Sequence, residues 1–171
     1  MKSKLQTIAN QAQPSDRNVV ALLLKDHRAM KSLMKKIKSP HAQPAKVFSL
    51  FKKLEKLVYS HMRAEETSLL HRLEGHEKFE DEVDEGVEEH KIHELVMGNI
   101  HKLKDKDRKV THIEIFCEFL EHHLKEEENE LFPMFNKYAA LSTRKKMGAT
   151  FLKRRKATKR KGEKLGALAK S

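Results

Sequence analysis

Two segments of this chain set a histidine and a glutamate four residues apart: His61-Met62-Arg63-Ala64-Glu65-Glu66 and His123-Leu124-Lys125-Glu126-Glu127-Glu128. Laid in register, His61 matches His123, Glu65 matches Glu127, Glu66 matches Glu128, and the following Leu69-Leu70 matches Leu131-Phe132. On a helix that spacing stacks both side chains on one face, and here the face is otherwise apolar. A carboxylate buried on such a face keeps its charge only beside an opposite charge or a bound cation. The fold must therefore bring the two segments together and supply that counter-charge.

The flanking residues carry the periodicity of packed helices. From a start at Pro14-Ser15-Asp16, with Ser15 or Asp16 as the cap, Val20, Leu23, His27, Met30, Met34 and Ile37 recur at spacings of three and four. Ser39-Pro40 ends this first helix. Pro44 suits the first turn of a second, whose seam is Val47, Phe51, Leu54, Val58, His61, Glu65 and Ser68, with Gly75 as a left-handed stop. A third helix over roughly 79–104 turns Val83, Val87, His90, Met97 and Ile100 inward, and His93 competes with His90 for the inward position. After the charged turn Lys104-Asp105-Lys106-Asp107, a fourth shows Ile113, Phe116, Leu120, His123, Glu127, Leu131 and Met134. Pro133 predicts a bend or break there. A composition of 36% charged and 6% aromatic residues, without tryptophan, agrees with a helical protein.

The expected fold is all-α, an antiparallel up-down-up-down four-helix bundle with an additional C-terminal basic helix or tail. Residues 1–16 are expected as a flexible arm, 17–141 as the bundle and 142–171 as the basic helix or tail, starting at Ser142. The net charge of +11 resides entirely in that last part: residues 144–171 hold twelve Lys and Arg against the single acid Glu163, and the first 143 residues balance to zero. Such a segment suits weak electrostatic contact with nucleic acid or anionic lipid. Its one aromatic residue, Phe151, offers no stacking platform for single strands. One cysteine, Cys117, precludes an intramolecular disulfide and fits a reducing compartment. With no leader-like start and no apolar run near the about 20 residues of a membrane span, the expectation is a cytoplasmic protein without a transmembrane segment.

Six ionisable residues fall in these seams: His27, His61, Glu65, His90, His123 and Glu127. Each helix contributes at least one, and no seam holds an arginine. Distances along the helices from the intervening turns place them in one layer, His27 fitting least well. Histidine and carboxylate without thiolate favours iron or manganese, with zinc as a further option. Two ions bridged by Glu65 and Glu127 would employ all six. His122, Glu66 and Glu128 lie one position outside the seams and read as supporting or surface groups; Cys117 and the methionines read as core. No Glu-x-x-His and no His-Glu-x-x-His occurs, against a ferritin-like site or a zinc protease.

These residues resemble the hemerythrin-like, or HHE cation-binding, domain. The likeness rests on Leu24-Lys25-Asp26-His27, His61-x-x-x-Glu65-Glu66, Glu89-His90 and His123-x-x-x-Glu127-Glu128-Asn129-Glu130-Leu131-Phe132-Pro133, and covers about residues 17–141. It implies a non-haem di-iron centre that reacts with dioxygen, nitric oxide or peroxide. Oxygen carriers of the family have a second histidine one turn before the position of His90, where this chain has Gly86, and an aspartate at the position of Glu127. Both departures resemble bacterial and regulatory members. They imply a reactive site, with catalase-like peroxide decomposition as the enzymatic alternative; the basic tail adds a third reading, a metal-regulated nucleic-acid module.

Overall fold

The computed structural model describes residues 17–168, with side chains as far as Thr158. The expected N-terminal arm, and the basic side chains from Lys159 onward, lie outside the described residues.

Six helices account for most of the chain: α1 Val19–Ile37, α2 Pro44–Glu65, α3 Glu80–Lys102, α4 Lys106–Asn129, α5 Leu131–Tyr138 and α6 Leu141–Leu168. No strand occurs among the described residues. Local chemistry sets the helix ends. The side chain of Asn18, not Ser15 or Asp16, caps α1 by accepting a hydrogen bond from the Val20 N–H at 3.1 Å. Pro44 opens α2, where its missing N–H leaves no bond unmade. Asp105 caps α4 by accepting from the Arg108 N–H at 2.8 Å. Glu80, Asp81 and Glu82 in the first turn of α3, and His101 and Lys102 in its last, complement the helix dipole. Gly75 takes φ +73°, the left-handed conformation that ends the chain's run after α2.

The two copies of the His-x-x-x-Glu-Glu motif continue differently. After Glu65 the helix widens into a π segment, Glu66–Leu70, followed by a last turn, His71–Leu73. After Glu127-Glu128 the helix stops at Asn129, and Glu130 turns with φ −119° and ψ −70° before α5 begins. The break thus precedes Pro133, which occupies the first turn of α5, where a proline is tolerated.

Two apolar clusters fill the interior. One gathers Met30, Met34 and Ile37 of α1 with Val47–Val58 positions of α2, Met97 and Ile100 of α3, and Ile113–Leu124 positions of α4. The other gathers Val19, Val20 and Leu23 with Leu69, Leu70, Val83, Leu131, Phe132 and Phe135. Helices α1, α2 and α3 each cross from one cluster to the other, α4 reaches the second through α5, and the polar seam residues lie at the crossing. A buried polar layer therefore divides the core.

Helix α6 packs on α1, α2 and the π segment. Met147 and Phe151 join the second cluster, Phe151 fully buried. Gly148 lets α6 approach the chain entering α1, since an added Cβ would overlap the Arg17 carbonyl. Exposed Lys153, Arg154 and Lys156 face outward. Among the described residues no helix is long and apolar enough to cross a membrane.

Candidate metal centre

At the dividing layer each bundle helix carries two adjacent polar residues: Asp26-His27 on α1, Glu65-Glu66 where α2 meets the π segment, Glu89-His90 on α3 and Glu127-Glu128 on α4. Successive helical residues point about 100° apart. One member of each pair therefore faces the bundle axis and the other reaches toward a neighbouring helix.

The inward members are His27, Glu65, His90 and Glu127, joined by His61 and His123 one turn earlier on α2 and α4. All six are at most 5% exposed. The imidazoles form two pairs, His27 with His61 and His90 with His123, each with ring centroids 5.0 Å apart. Glu65 Oε2 lies 3.2 Å from His61 Nε2 and 3.8 Å from His90 Nε2. Glu127 Oε2 lies 3.2 Å from His27 Nε2, and its Oε1 lies 3.6 Å from His123 Nε2. Each carboxylate thus stands between one imidazole of each pair. Two groups can each offer ligand atoms within 4.8 Å of one another: Glu65, His90, His123 and Glu127; and His27, His61 and Glu127. Glu127 belongs to both.

These atoms are buried and, beyond the imidazole–carboxylate approaches just given, have no partner. Nε2 of all four histidines and both oxygens of Glu65 and Glu127 make no hydrogen bond. Leaving one buried polar atom unsatisfied costs about 1–3 kcal/mol, and eight converge here. Imidazole nitrogen and carboxylate oxygen are the donors a transition-metal cation takes. The cluster fits a metal site by its unmet valences as well as by its composition.

The sideways members fix the imidazoles from behind. Glu128 Oε1 lies 3.0 Å from His27 Nδ1, Glu66 Oε1 3.1 Å from His90 Nδ1, and Glu89 Oε2 2.6 Å from His123 Nδ1. Asp26 Oδ2 faces His61 Nδ1 at 3.6 Å. For His27, His90 and His123 an outward-donating Nδ1–H turns Nε2 toward the centre, whereas Asp26 stands beyond hydrogen-bond reach of His61 Nδ1 and acts on it by charge. Going round the bundle, α1 steadies the histidine of α2, the π segment that of α3, α3 that of α4, and α4 that of α1. The circuit closes. Three of the four carboxylates also hold a cation: Lys31 Nζ at 2.7 Å from Glu128, Arg63 Nη1 at 2.9 Å from Glu66, and Arg155 Nη2 of α6 at 2.7 Å from Asp26. Glu89 has no lysine or arginine partner among the described residues.

Electrostatics divide the two inward carboxylates. Burial opposes charge on both, but His61, first among the neighbouring histidines, holds Glu65 below the usual carboxylate range. Glu127, buried and facing Glu65, is pushed up. Burial also opposes charge on His61, yet Glu65 and Asp26 outweigh it and push its pKa up to about 10. Burial lowers His27 and His90. Neighbouring carboxylates likewise raise His123 against its burial, so the metal-free cluster favours the protonated form at His61, His123 and Glu127.

The six residues expected from the sequence, His27, His61, Glu65, His90, His123 and Glu127, all lie in the two convergent groups. His93 does not. It is buried, its ring 5.2 Å from that of His123 and 5.7 Å from Phe116, and burial with the nearby His123 pushes it down to about 4. It serves as a neutral packing partner. His122 is exposed and pairs with Glu126 at 3.0 Å. Burial pushes the Cys117 thiol up to about 12, which leaves it unreactive. The orienting roles of Asp26 and Glu89 were not assigned from sequence, although an acid directly beside a seam histidine was the available signal. Arg155 gave none.

No curated protein and no solved structure matches the chain. The family model of the hemerythrin HHE cation-binding domain matches residues 18–135, from the cap of α1 into α5. That range encloses all six convergent side chains and all four carboxylates behind them, and it spans more than half of the sequence. On both counts the chain belongs to the hemerythrin HHE cation-binding domain family.

Proposed function

We propose that this protein holds two non-haem iron ions in the bundle core and uses them to bind or sense dioxygen, nitric oxide or peroxide, or to handle iron itself. The observation that carries this reading is the sharing of Glu127 between two ligand groups. His27 and His61 would hold one ion, His90 and His123 the other, with Glu65 and Glu127 bridging. Manganese or zinc would suit the same donors. The domain would comprise residues 17–141 in an up-down-up-down course, with 142–171 as a basic C-terminal extension.

Bound iron would supply an exchangeable coordination position and a change of oxidation state. The chain supplies the rest. Glu128, Glu66 and Glu89 hold His27, His90 and His123 in one tautomer, Asp26 sets its charge behind His61, and the two apolar clusters keep bulk water from both ends of the layer. Gly86 leaves space on the α3 side, beside His123 and Glu127.

Anaerobic ferrous loading of the full chain tests the proposal. About two irons per chain and a near-ultraviolet charge-transfer band after oxidation are the expected results. Zinc alone, or a stoichiometry near zero, would overturn it. Glu65→Ala or Glu127→Ala should abolish loading while helicity is retained. Sustained turnover of hydrogen peroxide by the iron-loaded protein would favour the enzymatic alternative. A second reading rests on the exposed Lys153, Arg154 and Lys156 of α6: sequence-independent nucleic-acid contact that weakens steeply with salt. Unchanged gel retardation after replacing all three by glutamine would remove it.

A further inference from the structure

A cavity of about 30 Å³ lies between α3 and α4, on the flank of the metal cluster. Gly86 helps to make the room: a Cβ there would meet only the Leu70 side chain, at 3.7 Å. The inner wall is formed by His123 and Glu127, whose Nε2 and carboxylate oxygens are buried and unpartnered. The outer rim is formed by Glu82, Glu85, Glu89, Glu126 and Glu130, and no lysine or arginine lines the space.

Among the described residues that rim has no lysine or arginine partner; only His123 at Glu89 and His122 at Glu126 face it. Behind the other three histidines the orienting carboxylate has its own lysine or arginine; behind His123, Glu89 has none among the described residues. Glu82, Glu85 and Glu130 likewise form no ion pair among the described residues, on a chain whose net charge is +11. Like charges held together without partners cost stability, and their combined field concentrates cations in a narrow opening. Neutral diatomic ligands would gain nothing from such a rim. Glu89, His122 and Glu126 can also bring ligand atoms within 4.8 Å of one another, at the solvent side of the same opening.

We propose that this glutamate-rimmed cavity is the inlet through which a divalent metal cation reaches the core, captured first by Glu89, His122 and Glu126 and then passed to His123 and Glu127. The inlet rests on the metal-site reading above, and the test separates the two.

Metal-free full-length protein would be mixed anaerobically with Co(II), whose visible absorption reports its coordination, and uptake followed by stopped flow. The triple variant Glu82→Gln, Glu85→Gln, Glu130→Gln should slow uptake about tenfold at low salt. The difference should shrink as salt rises, and the final metal content should match wild type. A control with the same charge change elsewhere, Glu77→Gln, Glu114→Gln, Glu118→Gln, should load at the wild-type rate. Gly86→Leu, a substitution that favours the helix, should obstruct the cavity and slow uptake at every salt concentration. Equal rates for the rim variant and wild type, or equal slowing in the control, would overturn the inlet while leaving the metal site intact. Failure of wild type itself to take up metal would remove the site and the inlet together.

Discussion

Glu66, Glu89 and Glu128 shape the cluster from behind, by deciding which nitrogen of the imidazole each one holds faces inward, and Asp26 adds its charge behind His61. Such partners typically contribute 10- to 100-fold to metal affinity. Glu66→Gln should weaken Co(II) binding by that order in a chelator competition, with little effect on unfolding, because Glu66 is only partly buried and Arg63 keeps a partner in Glu94 at 2.5 Å. Protons compete for the same atoms. With His61 pushed up to about 10 and Glu127 also raised, a cation must displace protons held by the metal-free site. Binding therefore releases protons, and affinity rises with pH from below neutrality toward about 10. Titration calorimetry of Co(II) binding in buffers of different ionisation enthalpy checks the release; an affinity that is flat between pH 6 and 8 would contradict it. The inward residues were legible because seam spacing reports the face a side chain occupies. Asp26 and Glu89 were not, because spacing along one helix says nothing about how far a carboxylate reaches to the next.

Elements departed from expectation where a local cause was balanced by a distant one. Proline chemistry predicted the break near Pro133, but the chain turns at Glu130 so that the ring can sit in a first turn. The widening at Glu66–Leu70 has no sequence mark, since its equivalent in the second motif breaks instead. The basic C-terminal segment read as an extension because twelve cations dominate its composition. Three residues of its helix nonetheless enter the structure: Met147 and Phe151 in the apolar cluster, and Arg155 against Asp26. Phe151 also lies edge-on to His61, with ring centroids 6.2 Å apart. Phe151→Ala should cost about 3–5 kcal/mol in denaturant unfolding of the metal-free protein. Arg155→Ala should weaken metal binding, with recovery in Arg155→Lys, if Asp26 needs a cation to hold its place beside His61.

The molecule as a whole joins two apolar cores through a layer of ionisable groups. Such a layer gains little from burial until a cation occupies it, whereas both flanking clusters are buried and apolar. Helical proteins ordinarily loosen from their ends. Here the weakest cross-section of the metal-free bundle is its middle, so amide exchange should be fastest near Asp26-His27, Glu65, Glu89-His90 and Glu127 and slower on either side. Metal should reverse that order. Because each helix steadies a histidine of the next, a shift of one helix disturbs the sites of two, and occupancy at one corner tightens all four. The circuit of carboxylates makes the bundle a clasp, and a cation bound in it should be legible in the breathing of the backbone.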